Sequence, residues 1–144
     1  MINWDLIPYF KRQEFDDPDH PGSGDLIDPT FLVNVVRLRK DTGWPIIPHW
    51  QVGGCVDVNG THGHAENSYH LKRMGCKGMD FHFDTDAPKR LQYYYVSKCG
   101  FSGIGVYYDW KPFGFHIDHR PKEKTQRWKR IKKWKKKKYI YFLK

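Results

Sequence analysis

The chain has 144 residues, 17% of them aromatic, and a net charge of +9. That length suits one domain that can form a core without disulfides or a structural metal. There is no apolar run of about 18 residues, which excludes a membrane-spanning helix. MINWDLIPYF lacks a basic region followed by an apolar one, so no secretory leader is expected and synthesis is cytoplasmic.

Residues 1–27 are rich in turn formers, notably EFDDPDHPGSGD. Asp28-Pro29 reads as an N-cap followed by proline in the first turn. Phe31, Leu32, Val35 and Leu38 then share one face and Gly43 supplies a stop, which predicts a helix over 29–41. WPIIPHW reads as a short buried strand. A loop rich in Gly, Asn and His covers 51–67, and MDFHF alternates like a strand. Asp86 and Pro88 open a second helix, whose spacing runs through Leu91, Tyr94, Tyr95 and Lys98 to Gly100. GIGVYYDW and FGFHIDH read as two strands joined by a turn at Lys111-Pro112. The expected fold is α+β, a small antiparallel sheet with flanking helices.

Charge divides the chain. From Arg120 onward there are thirteen Lys or Arg and one Glu, a balance of +12, which leaves −3 for residues 1–119. The expected organisation is a domain over 1–128 and a basic, aromatic tail over 129–144. The tail interleaves its cations with Ile131, Trp134 and Tyr139, and Trp128 is expected to fold back on the domain. Such a mixture suits polyanions: an anionic cell wall, an anionic membrane surface, or nucleic acid. Cys55, Cys76 and Cys99 include no CxxC pair and read as reduced thiols.

The stretch NSYHLKRMGCKGMDFHF places His70 and Asp80 at the two ends of a loop. A hydrolytic zinc site needs three protein ligands and an open position for water. Candidates are His70, Asp80, His82 and His116, with the His62-Gly-His64 pair in reserve. Asp80 and His82 share one strand face, as do His116 and Asp118, while Phe81, Phe83, Phe115 and Ile117 point the other way. Two polar strand faces are therefore expected to converge on one metal.

In the order of these motifs the chain resembles the zinc D-Ala-D-Ala carboxypeptidase and murein endopeptidase family, which includes small phage endolysins. Ser68-Tyr69-His70 matches that family's Ser-x-His. Cys76-Lys77-Gly78-Met79-Asp80 loosely matches its Gly-x-Ala-x-Asp strand. Gly105 to Tyr108, followed by Gly114-Phe115-His116-Ile117-Asp118, is similar to its final hairpin. YFKRQEF and RLRKDTGWPIIP are similar to its N-terminal half. The likeness covers roughly 9–128. It implies zinc on His70, Asp80 and His116, with peptidoglycan peptides as substrate. The chain is expected to act as a monomer. It also implies a virion-associated protein, or a phage protein released by a holin-type partner.

The departures are specific. The His70–Asp80 spacing is about three residues longer than the family's, in LKRMG. Gln51 stands near the family's substrate-binding arginine, and Ser68 and Tyr107 complete the expected substrate contacts. Phe113 occupies the position where many relatives carry an acidic base. Asp109 and Asp118 are the catalytic candidates for the base, with His119 as a further option. Asp118 also suits hydrogen bonding to a ligand histidine. Cys76 is an alternative ligand. Without a base, the domain is expected to bind without cleaving, as a wall-binding or virion structural module. Nucleic-acid binding through the tail is the remaining alternative.

Overall fold

The computed structural model describes residues 1–133 and 136–142, so Trp134 of the predicted tail lies outside the described residues. Helix α1 spans Pro29–Thr42. The Asp28 carboxylate accepts a hydrogen bond from the Phe31 N–H at 2.7 Å, and Gly43 ends the helix in the left-handed conformation (φ 69°). The predicted face, Phe31, Leu32, Val35 and Leu38, is the buried one.

Helix α2 spans Lys89–Lys98. Its buried face differs from the predicted one: Leu91 and Tyr94 are exposed, and Gln92 and Val96 are buried. Gln92 goes inward because its side-chain amide donates to the Ala87 carbonyl at 2.8 Å, closing the turn ahead of the helix. Tyr95 packs edge-on against Trp44 at the rim of the core.

Among the described residues six strands form one sheet: β1 (Ile46–Pro48), β2 (Gly78–Phe83), β3 (Gly103–Tyr107), β4 (Gly114–Asp118), β5 (Gln126–Lys133) and β6 (Lys136–Tyr141). Their order is β1-β2-β4-β3-β5-β6. The sheet is mixed, which corrects the antiparallel expectation: β3 and β5 run parallel, and the other pairs are antiparallel. The parallel pair arises because residues 119–125 carry the chain past β3 before β5 begins. The division expected after residue 128 falls inside β5. The basic segment forms a strand pair that continues the sheet, Trp128 lying opposite Gly105 on one side and Tyr141 on the other. Its many lysines hide this from a hydrophobic pattern, since an edge hairpin needs little apolar content.

Alternation gives the sheet two unlike faces. Met79, Phe81, Phe83, Ile104, Val106, Phe115 and Ile117 join α1 and α2 in the core. Burying each of the larger of these side chains contributes about 1.5–3 kcal/mol. Asp80, His116, Asp118 and Tyr107 occupy the opposite face. All three cysteines are buried free thiols. No helix among the described residues is long and apolar enough to cross a membrane.

Candidate metal centre

Register builds the site. Asp80 of β2 lies directly opposite His116 of β4, which lies opposite Gly105 of β3. The third histidine comes from a loop. His70 is fully enclosed, and its Nδ1–H donates to the Cys55 carbonyl at 2.9 Å, which leaves the lone pair on Nε2. His70 Nε2 is 3.1 Å from His116 Nδ1 and 3.5 Å from Asp80 Oδ1, and His116 Nδ1 is 2.9 Å from Asp80 Oδ1. Three ligand-type atoms thus converge on one point. A tetrahedral ion with bonds of about 2.0–2.1 Å sets its ligand atoms roughly 3.3 Å apart, so this set fits zinc.

The long His70–Asp80 connection is absorbed outside the sheet. Lys72–Met74 form a 3-10 turn, and Gly75 (φ 97°) and Cys76 (φ 48°) reverse the chain. Lys72, Arg73 and Gly75 are exposed, so the added residues bulge into solvent. Cys76 itself turns into the core, where burial pushes its thiol up to about 11.

A second layer fixes the ligands. His116 Nε2–H donates to Asp118 Oδ2 at 2.7 Å. Arg120 grips both oxygens of Asp118 at 2.9 and 2.6 Å, and also donates to Gln126 at 2.6 Å. Burial works against Asp118's charge, but Arg120 and His116 outweigh it and hold the carboxyl well below the usual range. Tyr107 O–H donates to Asp80 Oδ1 at 3.1 Å. Gly103 and Gly105 on β3 make room for the Asp118 and Trp128 side chains. A Cβ at Gly103 would collide with the Asp118 carboxylate, and one at Gly105 with the Trp128 indole.

His64 stands beside the ligands. Its ring stacks on His70 with centroids 4.0 Å apart, and its Nδ1–H donates to Asp57 Oδ2 at 2.8 Å. Asp57 is fully buried and also accepts the Gly60 N–H at 2.7 Å and the Thr61 N–H at 3.2 Å, which orders the loop that presents His64. Burial and the neighbouring His70 lower the His64 pKa, against the pull of Asp57. His64, His70 and Asp80 offer ligand atoms within 4.8 Å of one another.

The remaining sequence candidates are dispersed. His82 is 2.7 Å from His49, which stacks on Trp110. Asp109 accepts Arg130 Nε at 3.0 Å and does not line the cleft among the described residues. Asp118 is fully buried with both oxygens engaged, so its place is behind His116. His119 is 2.9 Å from the Asn34 amide and packs on Phe31. Gln51 is exposed on the turn Trp50–Val52 and lies outside the cleft lining among the described residues. Ser68 lines the cleft, and its hydroxyl accepts the His70 N–H at 3.4 Å. Sequence reasoning missed Asp57, Arg120 and the β5–β6 wall. The Asp57-Val58-Asn59-Gly60 turn pattern ahead of the histidine pair is the one local signal for Asp57.

The site opens into a cleft of about 1230 Å³. Trp128, Arg130, Lys137, Tyr139 and Tyr141 supply one wall, so the basic hairpin borders the site directly.

His116 lies between two carboxylates. Burial opposes its charge, but the hydrogen bonds to Asp118 and Asp80 prevail and raise its pKa to about 9. This exceeds the unperturbed value of about 6.5. Its contribution to stability is therefore complete below about 6.5 and is lost as pH rises through about 9. A metal must displace the Nδ1 proton, so affinity is expected to rise about tenfold per pH unit towards that value. Zinc titration against a competing chelator between pH 6 and 8 checks this, and a flat profile would refute it.

Comparison of the chain with protein-family models, with curated proteins and with solved structures finds no match.

Proposed function

We propose that the chain is a zinc-dependent peptidase of the D-Ala-D-Ala carboxypeptidase and murein endopeptidase type, acting on the peptides of bacterial peptidoglycan. The observation that carries this reading is the convergence of His70 Nε2, Asp80 Oδ1 and His116 Nδ1, 2.9 to 3.5 Å apart, at the floor of an open cleft. These three atoms belong to the residues that the family resemblance implies as ligands. When bound, zinc lowers the pKa of its water towards about 7 and polarises the scissile carbonyl.

The chain's own groups do the rest. Asp118, clamped by Arg120, fixes the His116 ring so that Nδ1 faces the ligand cluster. Tyr107 holds the Asp80 carboxylate, and that bond engages its hydroxyl. His64 takes the role that Asp109 and Asp118 are too engaged to fill. With Nδ1–H held by Asp57, its lone pair is on Nε2, which accepts the proton of the attacking water and returns it to the leaving amine. Lys137, Tyr139 and Tyr141 on the cleft wall suit a substrate with carboxylates and extended backbone.

A second reading rests on His64 as well. If its Nε2 joins His70 and Asp80 as a ligand, the coordination closes and the domain binds metal without cleaving.

The test is digestion of purified muropeptides by zinc-loaded protein, with the products identified by mass spectrometry. One new amine and one new carboxylate per cleaved bond are expected. Intact muropeptides at full zinc loading would reject the peptidase reading.

A further inference from the structure

A second cluster of ligand-type side chains lies where the loop at 17–20 meets the loop at 57–64. Asp17 is fully buried, and its Oδ1 is 2.9 Å from His62 Nε2. Asp19 Oδ2 is 3.6 Å from the same nitrogen. The ligand atoms of Asp17, Asp19 and His62 all lie within 4.8 Å of one another.

His20 adds an independent observation. Its Nδ1 is shielded from solvent and faces Asp17 Oδ2 at 3.3 Å. A shielded imidazole nitrogen whose close neighbour is a carboxylate oxygen is placed to share a cation with it once its proton is displaced. Its other nitrogen, Nε2, is 3.3 Å from the Asn59 side-chain amide. The Asn59 amide nitrogen donates to Nε2, so the ring hydrogen sits on Nδ1 and faces Asp17 Oδ2, and a metal bound there would replace that proton.

The turn geometry serves this arrangement. The His20 N–H donates to the Asp17 carbonyl at 2.9 Å, and the Asp19 N–H donates to Asp17 Oδ1 at 2.9 Å. The segment therefore folds on itself and brings Asp17, Asp19 and His20 to one side. Asp17 Oδ2 also accepts the Val58 N–H at 2.8 Å, which draws in the loop that carries His62.

We propose that Asp17, Asp19, His20 and His62 form a second divalent-metal site that ties the two loops together. Two imidazoles with two carboxylates favour a transition ion such as zinc over calcium or magnesium, which prefer oxygen ligands throughout. The site is distinct from the His70, Asp80 and His116 centre and stands or falls separately from the proposed peptidase function. Because His62 sits two residues from His64, the second ion fixes the loop from which His64 reaches the cleft.

The experiment is zinc content per chain, measured by plasma mass spectrometry after loading and gel filtration. Wild type is compared with H116A, H62A and the double variant D19N/H20A, whose two positions are more exposed than Asp17. Two zinc ions in wild type, one in H116A, and one in H62A and D19N/H20A is the expected result. One ion in wild type that survives in H116A and is lost in D19N/H20A also supports this site, and counts against the peptidase centre. One ion that is lost in H116A and kept in D19N/H20A overturns this site and leaves the peptidase centre intact. No bound zinc in wild type overturns both.

Discussion

Replacing His116 with alanine is expected to abolish metal binding at the candidate centre. His116 is the residue through which the site is joined: Nδ1 meets His70 and Asp80, and Nε2 meets Asp118. Its removal takes away one candidate ligand and also separates Asp118 from the cluster. Loss of an outer partner alone costs about 10–100-fold in metal affinity or activity. Loss of the ligand is expected to exceed that range, with Asp118→Asn falling inside it. Competition with a chromophoric chelator measures both variants against wild type. Wild-type affinity in H116A would show that the metal is held elsewhere. Asp80 gives the same argument from the other side of the sheet. Burial raises its pKa, but His70 and His116 outweigh it and keep the carboxylate ionised and ready to coordinate.

His64→Ala is expected to separate the two readings of the cleft. If His64 is the proton carrier, zinc affinity stays near wild type and muropeptide turnover falls by about 10²–10⁴-fold, the usual contribution of a positioned acid–base group. If His64 is a ligand, zinc affinity falls and wild type itself shows no turnover. The ring is well placed for either role, stacked on His70 at 4.0 Å with Nδ1 tied to Asp57. The distinction lies in the coordination number: three protein ligands leave room for a water, and four do not. Chelator competition and turnover, measured on one preparation, give both numbers.

Much of the frame was legible in the sequence. Asp28-Pro29 and Gly43 mark the ends of the first helix because capping is a local matter of hydrogen bonds and φ. Alternation in MDFHF and FGFHIDH assigned Phe81, Phe115 and Ile117 to the core and Asp80, His116 and Asp118 to one opposing face. Period two is a property of the strand alone, so no partner need be known.

Other features were decided only in three dimensions. The pairing of Asp80 with His116 depends on the register between strands more than thirty residues apart, which no local pattern encodes. Asp109 and Asp118 are equivalent as letters, but Arg130 takes the first and Arg120 and His116 take the second. The basic segment reads as a tail because its composition is that of a solvated charge run. Hydrogen bonding to β3 makes it a wall of the cleft. His64 is the sharpest case. Within the loop it is one histidine among several, and only the buried Asp57 carboxylate and the His70 ring give it a fixed tautomer beside the candidate metal ligands. The sequence by itself determined which residues could share a face, because that follows from backbone geometry. The tertiary structure decided which of them meet, because contact depends on partners far away in the chain.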